Sequence, residues 1–327
     1  MVAWFAAGIA ASLAVVNVRI VVLDLVRPTG LNVLVKQLAQ TPRDRPILML
    51  IGSSFTFLGL DTAQLEAELA AKGRSYRVVK FAAGGVSSLE RLRYLREVER
   101  RAGGFRPAVI LMEVSAYYDK EPLLQFEHNL FSQRMVDMVD LETAARALSW
   151  VWATSSLRTS ERIRMSAQLL QHLGAHYSKL GIKFDFMKYR KLIVSAPENA
   201  AVVPDPKFSN EELGRSLDRA EVILTKGEWA EVEDWGNRQY DAMIALLGRG
   251  EAKIGFYALP NTLGTELAYA WSFCQQSARS SACIIPDRDL LNALRDRSMW
   301  MDISHLFSEG VKSTTSWFAD QIARRIP

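Results

Sequence analysis

Short apolar runs alternate with amphipathic stretches along most of the chain. The clearest run, Ile47-Leu48-Met49-Leu50-Ile51, breaks at Gly52-Ser53-Ser54. A strand buried on both faces of a parallel sheet reads as an uninterrupted run of this kind. Residues 76–81 and 108–114 repeat the pattern, and residues 252–259, ended by Pro260, give a fourth strand. Cys283-Ile284-Ile285-Pro286 reads as a short fifth. Helices are predicted between them. Asp61, with Gln64 three residues on, caps one that runs to about residue 72 and closes at Gly73. Ser87-Ser88-Leu89-Glu90 is a capping box that opens a second, rich in Arg and Glu and ended by Gly103-Gly104. Its charge run reads as a solvated face. Residues 231–247, 262–276, 290–296 and 314–326 supply further helical segments. Strands that alternate with helices in this way predict an α/β protein with a parallel sheet.

Two stretches depart from the alternation. Between about residues 118 and 235 the pattern turns helical, notably over 144–152 and 166–173, with loop-like Ala196-Pro197-Glu198 and Val203-Pro204-Asp205-Pro206 beyond. That is long for one sheet connection, so it reads as a helical insertion, either a substrate or partner surface or a plain cap. At the start, residues 3–16 are almost wholly apolar, Asn17 and Arg19 interrupt, and residues 20–26 resume around Asp24. A membrane anchor, a signal peptide and a docked amphipathic helix all fit, and the anchor is favoured. The resulting division is an anchor over 1–27, a linker over 28–45 punctuated by Pro28, Gly30 and Pro42, and a domain over 46–327.

With 327 residues and 49% hydrophobic content, the chain can bury a large core. A net charge of +4 and no dense Lys/Arg block give no reason to expect nucleic acid. Anionic lipid headgroups or acidic glycans suit it equally. Cys274 and Cys283 either close a short disulfide loop in an exported protein or stay as two buried thiols. The four histidines, His128, His172, His176 and His305, are scattered and no Cys-x-x-Cys occurs, so no metal site is expected.

The candidate chemistry lies at the two ends of the domain. Gly52-Ser53-Ser54 sits at the carboxyl end of a predicted strand, where open α/β sheets bind ligands. Asp302-Ile303-Ser304-His305-Leu306 precedes the last helix. A serine nucleophile needs a base within hydrogen-bond reach, and the base needs a carboxylate to set its tautomer. Asp302 and His305 supply both types three residues apart.

These stretches resemble the blocks of the SGNH (GDSL-like) hydrolase superfamily, in family order and spanning nearly the whole domain. Gly52-Ser53-Ser54 is similar to the first block, which makes Ser54 the expected nucleophile. Phe81-Ala82-Ala83-Gly84-Gly85-Val86-Ser87 resembles the second, which gives a backbone N–H to the oxyanion hole, here Gly85 or its neighbour Gly84. Asp302-x-x-His305-Leu306 resembles the last. The third block departs: Ser115 stands where the family has an oxyanion-donating Asn. The resemblance implies a flavodoxin-like three-layer α/β/α fold with a mostly parallel five-stranded sheet, carrying the helical insertion and the N-terminal apolar helix. It implies acyl transfer by Ser54, His305 and Asp302, an oxyanion hole of Ser54, Gly85 and Ser115, and no cofactor. The anchor and the altered block favour an envelope glycan O-acyltransferase or esterase working beside a multispanning acyl-donor membrane protein. Trp300, next to the base, could stack on a sugar ring, although packing is the commoner role of a tryptophan so placed. Arg19, Arg27, Lys36, Arg43 and Arg45 follow the apolar run, which by itself places the domain in the cytoplasm. The resemblance places it outside the inner membrane of a bacterial-type envelope, and that is the expectation retained. A non-catalytic binding subunit on the same scaffold is the alternative.

Overall fold

The central strand β1 (Ile47–Gly52) is buried at every position, as its unbroken apolar sequence requires. In this computed structural model it lies between β2 (Arg77–Ala82) and β3 (Val109–Glu113). β4 (Lys253–Tyr257) and β5 (Cys283–Ile284) extend the sheet, every pairing is parallel, and the order is β2-β1-β3-β4-β5. The structure describes residues 38–82, 88–101, 106–115, 141–153, 157–178, 208–226, 234–247, 252–262, 264–275 and 283–326. The apolar start, residues 118–140 and the proline-rich 196–206 fall outside them, as do Gly84 and Gly85. Among the described residues, no helix is long and apolar enough to cross a membrane.

Ten α-helices lie among the described residues: α1 (Ser54–Gly59), α2 (Thr62–Ala71), α3 (Ser88–Arg101), α4 (Leu141–Ala153), α5 (Thr159–Ser178), α6 (Asn210–Lys226), α7 (Asp234–Leu247), α8 (Gly264–Gln275), α9 (Arg288–Ala293) and α10 (Ser308–Arg325). The caps expected for α2 are made. Asp61 accepts from the Gln64 N–H at 2.9 Å. Gly73, at φ 76°, closes the helix with the paired bonds of a Schellman turn, Gly73 N to Ala70 O and Arg74 N to Leu69 O.

Two compact units divide the chain. One takes in Met1–Val33 and Glu121–Val194, and its described part is the α4–α5 pair. There Ala144, Ala147 and Val151 of α4, and Met165 and Leu169 of α5, are buried at helical spacing. The other unit, Leu34–Lys120 with Ser195–Pro327, holds the sheet. α6 and α7 belong to this sheet unit. α6 is not among the expected elements, although Leu213, Leu217 and Ala220 recur at helical spacing and Ser209 with Glu212 forms a capping box.

One face of the sheet, lined by Leu48, Leu50, Val78, Val109 and Leu111, packs on Leu65 and Leu69 of α2 and Phe318 and Ile322 of α10. On β4, Phe256 meets Tyr240 of α7 and Phe273 of α8 in edge-on ring contacts. Each of these large side chains, when fully buried, stabilises the fold by roughly 1.5–3 kcal/mol before entropy is charged. The α2–α10 contact is the one that matters for chemistry. α2 follows α1 almost directly, and α10 follows Leu306 almost directly. Asp61 N donates to Thr315 Oγ1 at 3.0 Å, Gln64 Nε2 to Lys312 O at 3.0 Å, and Ser316 Oγ to Glu68 at 2.6 Å. Docking these helices side by side brings the two ends of the domain to one rim of the sheet.

Candidate active site

The two adjacent serines have different environments. Ser53 is fully buried and N-caps α1, accepting from the Phe55 N–H at 3.2 Å while its own hydroxyl donates to Glu113 Oε1 at 2.5 Å. Ser54 is the first residue of α1 and is half-buried. The expected turn between β1 and α2 is therefore itself a short helix, started by Ser53. As the first helical residue, Ser54 has a backbone N–H with no intrahelical acceptor, which leaves it available to an oxyanion.

β1 lies at the point where the strand order reverses between β1 and β3, the crevice in which open α/β sheets hold ligands. His305 reaches this point from the loop before α10. Its Nε2 lies 3.1 Å from Ser54 Oγ. Its Nδ1 lies 3.0 and 2.9 Å from the two Asp302 oxygens. With Asp302 accepting from Nδ1–H, Nε2 is left to accept from the Ser54 hydroxyl. Asp302 Oδ1 also accepts the backbone N–H groups of Ser304 (2.7 Å) and His305 (2.9 Å), an Asx turn that fixes the loop and the carboxylate together. The Thr262 N–H and hydroxyl hold Ile303 O from the end of β4. The Phe55 ring lies 5.8 Å from the imidazole and limits its rotation. The His305 and Asp302 side chains keep 21% and 32% of their surface, so the base is sheltered yet open to a substrate.

Of the other expected site residues, Ser115 is buried just past β3, and Gly85 lies outside the described residues. Trp300 takes the packing role of the two that its sequence position left open. It is fully buried among Leu213, Leu217, Leu290 and Leu294, and its indole N–H donates to Leu294 O at 2.7 Å. No sugar reaches it. The backbone pairing of Trp300 with Leu306 instead closes the loop that carries Asp302 and His305. Among the described residues no group of three or more His, Cys, Asp or Glu side chains could hold a metal.

The sequence pattern does not single out the groups beneath Ser54. Glu113 ends β3 with its carboxylate almost completely buried. It accepts from Ser53 N (3.0 Å), Ser53 Oγ, Thr56 N (3.1 Å) and Thr56 Oγ1, and pairs with Arg91 of α3 at 3.4 Å. The Arg91 guanidinium also donates to Glu113 O at 2.7 Å, as does the Tyr240 hydroxyl at 2.7 Å. Tyr257 meets Thr56 Oγ1 at 2.5 Å. Burial first, and then the Glu113 charge, pushes the Tyr257 phenol well above its usual value, so it stays protonated. A charged residue closing an otherwise apolar strand is the one signal that could have found Glu113. Arg91 sits inside the run expected to be a solvated face, but it is fully buried.

Lys80 of β2 holds the other end of α1, donating to Phe57 O at 2.9 Å and Leu60 O at 2.7 Å. An ammonium there matches the partial negative charge of the helix C-terminus. Burial lowers the Lys80 pKa to about 8, with the Asp61 charge acting against the shift.

Cys274 of α8 and Cys283 of β5 form a disulfide with Cα atoms 5.8 Å apart, fixing the short edge strand. Of the two alternatives left open for these thiols, the structure has the bonded one. Comparison of the chain with profiles of known protein families and with curated proteins finds no match.

Proposed function

We propose that this chain is an SGNH-type serine esterase or O-acyltransferase acting on an O-acetyl or O-acyl ester of a cell-envelope glycan. The observation that carries the reading is the continuous relay from Ser54 Oγ through His305 to Asp302, assembled from residues 251 positions apart. In the proposed reaction Ser54 Oγ attacks the ester carbonyl as His305 Nε2 takes its proton. The oxyanion is held by the Ser54 N–H, with Gly85 and Ser115 as the expected further donors. The C–O bond of the ester breaks, and His305 returns the proton to the leaving alcohol. The acyl-serine then passes its acyl group to water, giving an acid, or to a sugar hydroxyl, giving a new ester. The domain is a flavodoxin-like three-layer α/β/α fold in this reading, supported by the 2-1-3-4-5 strand order, with a helical insertion and an N-terminal apolar helix. The disulfide supports an extracytoplasmic, inner-membrane-anchored placement, because such bonds persist in oxidising compartments. A multispanning acyl-donor partner belongs to the transferase version.

Ser54→Ala tests the assignment. The variant should keep its fold by circular dichroism, lose fluorophosphonate labelling, and hydrolyse p-nitrophenyl acetate at least about 10³-fold more slowly. Labelling that survives in Ser54→Ala would refute it. A folded wild-type chain that never labels would favour the non-catalytic binding subunit.

A further inference from the structure

The Glu113–Arg91 pair is fully buried and takes no part in the Ser54–His305–Asp302 relay. A buried ion pair gives little net stability, since desolvating both charges offsets their attraction. What this pair does is geometric. Besides Arg91, the Glu113 carboxylate accepts from four donors, all on Ser53 and Thr56, and these two residues straddle Ser54. A helix of six residues does not hold its own shape in water, because nucleation costs more than so few bonds return. α1 is therefore held from outside, at its start by Glu113 and at its end by Lys80. Gly52 belongs to the same device. A Cβ there would lie 2.5 Å from Glu113 Oε2 and would also strike the Thr56 side chain, so only glycine lets the carboxylate come beneath the turn.

Resting on the esterase or acyltransferase reading, we propose that Glu113 is the positioning residue of the nucleophile. It clamps the Ser53–Thr56 turn so that Ser54 Oγ stays in line with His305 Nε2 and the Ser54 N–H stays turned to the oxyanion. Arg91 balances the carboxylate charge, which would otherwise oppose the negative charge that develops at the reacting carbonyl. Glu113 touches neither substrate nor reacting atoms. Its action passes through Ser53 and Thr56.

The test is Glu113→Gln in the full-length chain, with Thr56→Val beside it. Gln keeps the shape but replaces one acceptor oxygen with an N–H₂ donor, which faces N–H and O–H donors. Folding is followed by circular dichroism, active sites are counted by fluorophosphonate titration, and kcat and KM for p-nitrophenyl acetate are expressed per labelled site. Glu113→Gln should lower kcat per site about 100-fold, the loss expected for a misplacement near 1 Å, with KM within about twofold of wild type. Thr56→Val, which keeps the ion pair and the Thr56 N–H bond, should lower kcat about tenfold at unchanged KM. A folded Glu113→Gln protein with kcat per site within about threefold of wild type overturns the proposal. So does a loss that lies wholly in the number of labelled sites, since that is a structural effect. If Glu113→Gln fails to fold, Thr56→Val decides by the same criteria. A wild-type chain that does not label at all removes the esterase reading itself, and the positioning role with it.

Discussion

Gly52→Ala is the sharpest single perturbation of this architecture. The added Cβ would lie 2.5 Å from both Glu113 Oε2 and Thr56 Cβ, whereas ordinary contacts begin near 3.4 Å. Thr56 Oγ1 would be approached closer still, so about 1.5 Å of movement is needed, and neither neighbour is a free side-chain end. Thr56 is part of α1, and Glu113 is fixed by Arg91. Overpacking of this kind costs about 1–3 kcal/mol. Loss of one hydrogen bond to the charged carboxylate adds about 1.5–3 kcal/mol. A total near 4 kcal/mol is expected, together with roughly a hundredfold loss of activity as Ser54 shifts from its 3.1 Å contact with His305. Urea denaturation followed by tryptophan fluorescence reads the first effect, and the rate of fluorophosphonate labelling reads the second. Gly59→Ala is the internal control. Its Cβ would meet only the end of the Leu259 side chain, at 3.3 Å, so its cost should stay within about 1 kcal/mol. If Gly52→Ala matched Gly59→Ala in both urea midpoint and labelling rate, the tight approach of Glu113 beneath the turn would be wrong.

Lys80 gives a pH signature. Its folded pKa of about 8 lies below the ordinary 10.5, so between these values the folded chain binds fewer protons than the unfolded one. The stability of wild type relative to Lys80→Met should rise by about 3 kcal/mol from pH 8 to pH 10.5 and stay level below pH 8. A difference that is flat with pH would show that the ammonium is not desolvated. Reducing the Cys274–Cys283 bond, which spans a sequence separation of 9, should lower stability by about 2.5 kcal/mol from loop entropy. Urea midpoints with and without dithiothreitol measure this, and the double Cys→Ser variant should show no response to the reductant. Trp300→Phe should cost about 1–3 kcal/mol by leaving Leu294 O without its donor, while KM for ester or glycan substrates stays unchanged. A raised KM without a stability loss would return Trp300 to the substrate.

Sequence alone determined the elements whose causes are local. Five strands announce themselves as short, mostly apolar runs, because a parallel strand between helices meets apolar neighbours on both faces. Asp61 and Gly73 mark the ends of α2, since a side-chain oxygen can cap a helix start and glycine readily adopts positive φ. The start of α10 is read six residues late because Ser308 to Lys312 shows no apolar period. It is held by tertiary packing of Gly310 against Leu306 and the Met299 carbonyl. Ser54, His305 and Asp302 were legible as residue types in a pattern, but their distances were not.

Only the tertiary structure decided how the two serines divide their roles, where Trp300 goes, and that Arg91 turns inward from a helix that otherwise reads as charged. Each depends on a partner far along the chain: Glu113 is 60 residues from Ser53 and 22 from Arg91. The physical reason is that burial changes what a charged or polar side chain must do. In water Glu113 and Arg91 need no partner, whereas inside the sheet each must find its counter-charge and donors, and the backbone around Ser54 is shaped to supply them.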